Sequence, residues 1–209
     1  MSGADKRIVI FISGSGSNME ALIRATQAPD FPADVVAVFS DKAGAGGLAK
    51  AQAHGIGTHV FERRQYGSKQ AHEQAILAAL DALQPDFICL AGYMRLISGD
   101  FVARYPGRIL NIHPSLLPLF PGLHTYDRAI AAGMKIAGCT VHLVTEGMDE
   151  GPILAQAAVP VLDGDNAETL ARRVLTVEHV LYPATLRRLC AGAAMESPTD
   201  AGGSLVSLG

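Results

Sequence analysis

The sequence predicts an α/β fold with a largely parallel central sheet flanked by helices. Continuous aliphatic runs such as Arg7–Ile12 (RIVIFI) and Asp86–Ala91 (DFICLA) have the character of strands buried on both faces of a parallel sheet. Glycine-rich turns and helical spacings alternate with these runs, which is typical of successive strand–helix units. We predict a single Rossmann-like domain over residues 1–190, with mixed strands in its C-terminal half, and a disordered tail over residues 191–209.

Composition narrows the classes of function. The chain has 209 residues, 49% hydrophobic and 18% charged, which is enough for one substantial core. A net charge of -3 argues against a general nucleic-acid-binding protein. The N-terminal apolar run is too short for a secretory signal and no membrane segment is apparent, so we expect a cytoplasmic protein without a membrane partner. Three widely spaced cysteines predict neither a disulfide framework nor a zinc site.

A glycine-rich turn follows the first strand. Ser13–Asn18 reads SGSGSN, and the apolar spacing after it predicts a helix that begins near Asn18. Free backbone N–H groups and the helix dipole favour a phosphate there, and Gly14 and Gly16 permit close approach. The alternative is an ordinary strand–helix turn without a ligand. Because residue 19 is Met19, the turn does not match the dinucleotide-binding fingerprint.

The rest of the N-terminal half is predicted from similar patterns. Strands are expected at Asp34–Ser40 and Gly57–Phe61, and an amphipathic helix at Lys69–Leu83. Asp41, directly after the second strand, is expected to cap the following helix. The loop 92–98 (GYMRLIS) carries apolar side chains that either line a pocket for a flat ring system or simply pack.

The most informative segment is Ile109–Tyr126 (ILNIHPSLLPLFPGLHTY). A short apolar strand meets three prolines within eight residues, which predicts a stiff, irregular loop at the strand end. Asn111 and His113 are two residues apart, so they project to the same side of an extended chain. An amide that can donate to an oxyanion, beside an imidazole that can move a proton, indicates acyl-transfer chemistry. The alternative is that His113 is a structural histidine.

The C-terminal half is predicted to continue with helix Tyr126–Gly133, strand Gly138–Thr145 containing His142, strand Ile153–Val161 and helix Asn166–Leu181 capped by Asp165 or Asn166. Asp149 is expected to face His113 across neighbouring strand ends and to favour its imidazolium form. Glu146, Asp149 and Glu150 lack a recognised metal-binding spacing, so we expect no metal. By its helical position alone, Glu178 would be a solvated residue.

Taken together, these motifs resemble the phosphoribosylglycinamide formyltransferases, the folate-dependent enzymes of purine biosynthesis. The resemblance runs from Arg7 to Leu189 and rests on RIVIFISGSGSN, LAGYMRLIS, NIHPSLLPLFPGLHTY, TVHLVTEGMDEGPIL and VEHVLYP. NIHPSLLP is shared with the wider group of formyl-folate enzymes, whereas FPGLHTY, SGSGSN and EHVLYP restrict the resemblance to the phosphoribosylglycinamide formyltransferases. The resemblance implies that the formyl group of 10-formyltetrahydrofolate, a co-substrate, passes to the amine of 5'-phosphoribosylglycinamide through a tetrahedral intermediate, without a metal.

The resemblance also implies site residues. The catalytic residues would be Asn111, His113 and Asp149. The phosphoribosylglycinamide site would contain Gly16, Ser17, Asn18 and Glu178. The folate site would contain Lys69, Met94, Arg95, Leu96, Ile97, Asn111, Thr145, Glu146, Gly147, Met148 and Asp149. Lys69 stands where the family usually carries arginine, which keeps the charge but loses the planar fork.

Three alternatives remain open. A methionyl-tRNA formyltransferase shares NIHPSLLP but would be expected to bring a C-terminal RNA-binding domain and a more basic surface. A deformylase would be expected to bring an N-terminal regulatory domain. A non-catalytic module that binds phosphorylated metabolites would have no reason to hold Asn111, His113 and Asp149 together. We expect small-molecule substrates, no nucleic-acid partner, and a monomer or homodimer.

Overall fold

Four parallel strands form the sheet of the N-terminal unit, which ends at Leu110. The computed structural model describes residues 6–192 and 206–207. In this unit the strand order is β3-β2-β1-β4, where the strands are β1 (Lys6–Ile12), β2 (Ala33–Ser40), β3 (Thr58–Val60) and β4 (Phe87–Leu90). The side chains from Ile8 to Ile12 are buried, as predicted for a strand covered on both faces.

The helices of this unit are α1 (Ser17–Thr26), α2 (Gly46–Ala53), α3 (Lys69–Leu83) and α4 (Gly99–Arg104), with a 3₁₀ turn at Arg63–Gln65. The predicted bounds of α3 are confirmed: the Ser68 hydroxyl accepts a hydrogen bond from the Ala71 N–H, and Gln84 ends the helix in a left-handed conformation. α4 is not among the predicted elements. It has six residues and one buried side chain, Phe101, which is too little for a helical periodicity.

The C-terminal unit begins at Asn111, inside strand β5 (Ile109–His113). Its other elements are α5 (Thr125–Ala131), β6 (Ile136–Leu143), β7 (Ile153–Pro160), α6 (Ala167–Cys190) and β8 (Val206–Ser207). β6 and β7 pair antiparallel, and β8 pairs in parallel with β7 at Ala157 and Ala158. α6 packs on β6 and β7.

Several predicted boundaries in this unit are wrong. α5 ends at Ala131 rather than Gly133, and β6 ends at Leu143 rather than Thr145. β6 begins two residues earlier than expected, because Ile136 and Ala137 already pair with β7. α6 continues past Leu181 to Cys190 although Pro183 lies inside it. An interior proline costs about 3 kcal/mol. Burying a large side chain stabilises by about 1.5–3 kcal/mol, and both Tyr182 and Leu186 are fully buried on this stretch, so their burial outweighs the proline.

The predicted fold class is confirmed by the parallel sheet of the first unit and the mixed strand directions of the second. The expected division into a domain at 1–190 and a disordered tail stays a prediction, since residues 193–205 and 208–209 lie outside the described part of the chain. Across the described ranges, no helix combines the length and apolar character needed to cross a membrane.

Candidate active site

Strand β5 presents Asn111 and His113 at its end, and an irregular proline-rich loop follows, as predicted. His113 is buried. Its Nε2 lies 3.0 Å from the carbonyl oxygen of Phe120, seven residues further along the loop. Because a carbonyl can only accept, this contact means that Nε2 carries a proton. The Ser115 hydroxyl donates to the Leu119 carbonyl at 2.6 Å and thereby holds the same turn.

Thr140 and Gln156 tie the proline loop to strands β6 and β7. The Thr140 hydroxyl donates to the Ser115 carbonyl at 2.7 Å and accepts from the Leu117 N–H at 3.0 Å. The Gln156 amide donates to the Leu117 carbonyl at 2.9 Å and to the Thr140 hydroxyl at 3.0 Å. These buried bonds fix a loop that has no regular backbone ladder, so the Phe120 carbonyl has a defined position next to His113.

Asp149 meets His113 on the other side of the imidazole ring. Nδ1 of His113 lies 3.3 Å from Oδ2 of Asp149, and the Gly122 N–H donates to the same oxygen at 2.8 Å. Both ring nitrogens of His113 therefore face acceptor oxygens. Asp149 itself adopts a left-handed conformation with φ of 55°. Such backbone strain is common where a side chain must be aimed at a functional site.

His142 completes this cluster, and no role was predicted for it. Its Nδ1 lies 2.9 Å from the Leu143 carbonyl, and its Nε2 lies 3.1 Å from the amide nitrogen of Asn111 and 3.7 Å from Oδ1 of Asp149. Burial lowers the pKa of His142, although the Leu143 carbonyl and Asp149 oppose that shift. His142 is therefore held neutral. The available signal was a polar, titratable residue inside a run of buried strand residues.

The structure brings the three residues predicted to be catalytic into one cluster, in which His142 is hydrogen-bonded to Asn111 and lies 3.7 Å from Asp149. Their proximity is an observation, and their catalytic roles remain predictions. The cluster combines an amide donor, an imidazole that is hydrogen-bonded at Nε2 and faces a carboxylate at Nδ1, and that carboxylate. That set can stabilise a developing oxyanion and transfer a proton.

Glu178 is buried on α6, so its interpretation as a solvated helix residue is wrong. It shares the packed face of the helix with Val174, Val177 and Leu181, which lie within one turn of it. Burial, together with the negative charge of Glu178, raises the pKa of the Tyr126 hydroxyl. A buried carboxylate on this face is suited to a cationic ligand. Its predicted role in binding substrate is not tested by this geometry.

In the N-terminal unit, the turn after β1 has the form expected of an anion site. Gly16 is left-handed at φ of 69°, and α1 begins at Ser17 without a side-chain cap. A Cβ at Gly16 would lie 2.8 Å from Cα of Gly47, at the start of α2, and the Gly47 N–H donates to the Gly14 carbonyl at 3.0 Å. The turn therefore needs glycine for both conformation and close packing. Ser17 and Asn18 lie in the first turn of α1, where backbone N–H groups favour an anion.

A pocket of about 310 Å³ in the same unit is lined by five of the residues predicted to bind folate: Lys69, Met94, Arg95, Leu96 and Ile97. Its apolar floor includes Phe11, Ile76 and Phe101. Arg63 adds a further cationic side chain to the lining. Met94 and Leu96 are 65% and 66% exposed, which is unusual for side chains of this size. The pocket suits a ligand with a flat apolar part and carboxylate groups.

The loop that carries Met94–Ile97 is held at several points within its own unit. The Ser13 hydroxyl accepts from the Met94 N–H at 2.8 Å. Nε of Arg95 donates to Oδ2 of Asp41 at 2.6 Å, and the Glu73 carboxylate accepts from both the N–H and the hydroxyl of Ser98. Asp41 therefore does not cap α2, whose N-cap is Ala45. The expected cap is wrong because the buried carboxylate of Asp41 pairs with Arg95 instead.

Two further observations concern possible ligands. Among the described residues, no group of three or more histidine, cysteine, aspartate or glutamate side chains could hold a metal ion. In the loop that contains Asp149, the Thr145 hydroxyl is buried and has no hydrogen-bond partner in the part of the chain that the structure describes. A buried hydroxyl of this kind can serve a polar group of a ligand.

Comparisons with known proteins agree with this geometry. The family profile described as formyl transferase matches residues 6–186. The phosphoribosylglycinamide formyltransferase of Escherichia coli (strain K12) is 46% identical over 176 residues, which cover 84% of this chain and 83% of that protein. The crystal structure of phosphoribosylglycinamide formyltransferase from Brucella melitensis has a TM-score of 0.87 and 74% identity, covering 92% of this chain and 100% of that chain.

Some relatives are much longer. The trifunctional purine biosynthetic protein adenosine-3 of Gallus gallus is 46% identical over 187 residues, which are 90% of this chain but 19% of that protein. The chain thus spans less than a fifth of the trifunctional relative. Because the family profile covers most of the chain, and the Escherichia coli relative is matched over most of its own length, this chain belongs to the formyl transferase family.

Proposed function

We propose that this chain is a phosphoribosylglycinamide formyltransferase. It transfers the formyl group of 10-formyltetrahydrofolate to the amine of 5'-phosphoribosylglycinamide. The observation that carries the proposal is the placement of His113 between the Phe120 carbonyl and Asp149, next to Asn111, in a member of the formyl transferase family. Such a cluster has a clear use in acyl transfer and none in binding alone.

The reaction begins when the amine of the acceptor attacks the formyl carbon. A carbon–nitrogen bond forms and the carbonyl oxygen takes up the negative charge of the tetrahedral intermediate. The Asn111 amide donates a hydrogen bond to that oxygen, and the adjacent imidazolium of His113, whose two N–H groups face the Phe120 carbonyl and Asp149, stabilises it by its positive charge. Removal of one oxyanion donor typically costs a hundred- to thousandfold in turnover. Asp149 orients His113, so the ring is in place before the charge develops.

Collapse of the intermediate completes the transfer. The carbonyl re-forms, the bond from the formyl carbon to the folate nitrogen breaks, and that nitrogen must gain a proton while the attacking amine loses one. We propose that Asp149 assists this proton transfer through a water molecule. No metal is needed, because the formyl carbon is already electrophilic and both substrates are positioned by binding.

Substrate binding is assigned to the residues that the family resemblance implies. Gly16, Ser17 and Asn18 hold the ribose phosphate of the acceptor through the N-terminus of α1, and Glu178 pairs with the glycinamide portion. The pocket lined by Lys69 and Met94–Ile97 binds part of the folate.

The loop Thr145–Asp149 supplies further folate contacts, for which the buried Thr145 hydroxyl is suited. The proposed partners are two small molecules, with no nucleic acid or membrane involved. The expected setting is the cytoplasm, and the expected assembly is a monomer or a homodimer.

The experiment that tests this proposal compares three acceptors. Purified protein and 10-formyltetrahydrofolate are mixed with 5'-phosphoribosylglycinamide, with methionyl-tRNA, or with buffer alone, and the absorbance of the folate product is followed. We expect rapid product formation in the mixture that contains 5'-phosphoribosylglycinamide and not in the other two mixtures. Preferred reaction with methionyl-tRNA, equal release in buffer, or no reaction with any acceptor would contradict the proposal and indicate one of the other functions.

A further inference from the structure

The hydrogen bonds around His142 determine which of its two nitrogens carries the proton. Nδ1 lies 2.9 Å from the carbonyl oxygen of Leu143, and a carbonyl can only accept. Nδ1 is therefore the protonated nitrogen. In a neutral ring, Nε2 must then be an acceptor, and the group that faces it at 3.1 Å is the amide nitrogen of Asn111. The two contacts are mutually consistent only for a neutral His142.

The charge state of the surroundings agrees with this assignment. His142 is almost completely buried, and burial is the largest cause of its lowered pKa. Oδ1 of Asp149 is 3.7 Å from Nε2, which is longer than a hydrogen bond, whereas Oδ2 is taken by His113 and the Gly122 N–H. The two imidazoles therefore have different surroundings. His113 lies between two acceptors, whereas His142 lies between one acceptor and one donor.

We propose that His142 is a positioning residue that fixes the orientation of the Asn111 amide. A carboxamide can lie in two orientations that exchange its oxygen and its NH₂ group. With Nε2 of His142 as an acceptor, only the orientation that directs the NH₂ group toward His142 forms a hydrogen bond. One N–H of Asn111 is used in this bond, and the second N–H of the same group is directed by it toward the reacting oxygen.

The reverse orientation would be harmful to the reaction. It would place the amide oxygen opposite the Nε2 lone pair and would present oxygen rather than N–H to a developing negative charge. The inference rests on the proposed function for the reaction it serves, but the tautomer and the amide orientation are properties of the free protein. They can be measured whether or not the protein transfers a formyl group.

The kinetic test uses two variants that differ in where they place an acceptor. The side-chain amide of His142→Gln extends to the position of Nε2 and can accept from Asn111, whereas that of His142→Asn reaches only the position of Nδ1. We expect His142→Asn to lower kcat by about tenfold to a hundredfold, because the oxyanion donor Asn111 would be partly misplaced. The KM for each substrate should stay within about twofold of the wild-type value. His142→Gln should retain kcat within about threefold.

A double-mutant cycle with Asn111→Ala separates orientation from general damage. If His142 acts through Asn111, His142→Asn should cause no further loss of kcat in the Asn111→Ala background. Thermal unfolding of every variant identifies any that fail to fold. Equal losses in the Asn and Gln variants, or a full additional loss in the Asn111→Ala background, would overturn the proposal.

A spectroscopic arm is independent of activity. Long-range ¹H–¹⁵N correlation on the labelled wild-type protein should show His142 neutral, with the proton on Nδ1 and a bare Nε2. The two side-chain amide protons of Asn111 should have distinct shifts that change in His142→Asn and persist in His142→Gln. A proton on Nε2 in the wild type would overturn the proposal. If this arm succeeds and no formyl transfer occurs, the proposed function fails while the positioning role stands.

Discussion

Nδ1 of His113 and Oδ2 of Asp149 lie 3.3 Å apart, while Nε2 of the same ring lies 3.0 Å from the Phe120 carbonyl. The two residues are 36 positions apart in the sequence, on β5 and on the loop that precedes β7. The ring is thus held on one side by the loop that follows β5 and on the other by the loop that precedes β7. An imidazole fixed in this way is oriented before a substrate arrives, which suits a reaction that generates an oxyanion.

The glycine turn gives a stability prediction. Gly16→Ala should lower the free energy of unfolding by about 1–2 kcal/mol or more, because the residue is left-handed and its new Cβ would lie 2.8 Å from Cα of Gly47. Gly14→Ala is the matched control: its Cβ would meet nothing within 4 Å, so a change within about 0.5 kcal/mol is expected. Urea unfolding of both variants measures this. Equal stability of the two would show that the turn does not need glycine at position 16.

The ion pair between Arg95 and Asp41 gives a second prediction. Asp41 is fully buried and Arg95 is about half exposed, so Arg95→Ala should leave a buried carboxylate without its charge partner. We expect a loss of about 2 kcal/mol, reduced from the value for a fully buried pair because solvent reaches Arg95.

Adding Asp41→Asn to Arg95→Ala should recover part of that loss, because it removes the unpaired charge. Arg64→Ala is a control, since Arg64 is itself exposed and its pair with Glu62 should contribute little to stability. Chemical denaturation provides the comparison. If the double variant lost as much stability as the sum of the losses of Arg95→Ala and Asp41→Asn, the two residues would not be coupled.

The lowered pKa of His142 predicts that the free energy of unfolding decreases as the pH falls. Burial lowers its pKa below the ordinary value of 6.5, with Asp149 raising it and His113 lowering it further. Below pH 6.5 the unfolded chain binds a proton that the folded chain does not, so folding becomes less favourable as the pH falls toward the pKa of the folded state. His142→Gln removes this contribution.

The stability of His142→Gln relative to the wild type should therefore improve between pH 7.5 and 5.5, by at most about 1.4 kcal/mol per pH unit. Denaturant titrations of the two proteins at both pH values measure the difference, in which the other histidines cancel. A difference that is independent of pH would mean that His142 titrates normally in the folded protein.

Local pattern was sufficient to predict most of the secondary structure. The bounds of α3 follow from its amphipathic spacing and from Pro85 beyond its end, and the irregular loop after β5 follows from its prolines. The prediction that Asn111 and His113 share a strand end needed only the two-residue period of a strand. α6 was predicted to end at Leu181, whereas tertiary burial of Tyr182 and Leu186 extends it past Pro183 to Cys190.

Contacts that depend on strand pairing or packing could not be predicted. The bond between Asn111 and His142 depends on how β5 lies beside β6, which no local pattern specifies. The pair of Arg95 and Asp41 joins residues that are 54 positions apart, and the burial of Glu178 depends on which face of α6 packs. The left-handed backbone of Asp149 is likewise imposed by its surroundings rather than by its residue type.

Asp149→Asn tests the role of the Asp149 carboxylate in formyl transfer with little structural disturbance. Asparagine tolerates the left-handed conformation and can still accept from the Gly122 N–H, so the fold should be unchanged. The substitution removes the negative charge that faces Nδ1 of His113 at 3.3 Å. Glu150→Gln, one residue further along the loop, is the control for loss of a nearby carboxylate.

The most direct measurement is the single-turnover rate of formyl transfer from 10-formyltetrahydrofolate to 5'-phosphoribosylglycinamide, with both substrates saturating. Asp149→Asn should be slower than the wild type by a hundredfold or more, about the loss expected for one oxyanion donor, while each ligand binds within about threefold and Glu150→Gln reacts normally. A rate for Asp149→Asn within about threefold of the wild type would contradict the proposed mechanism.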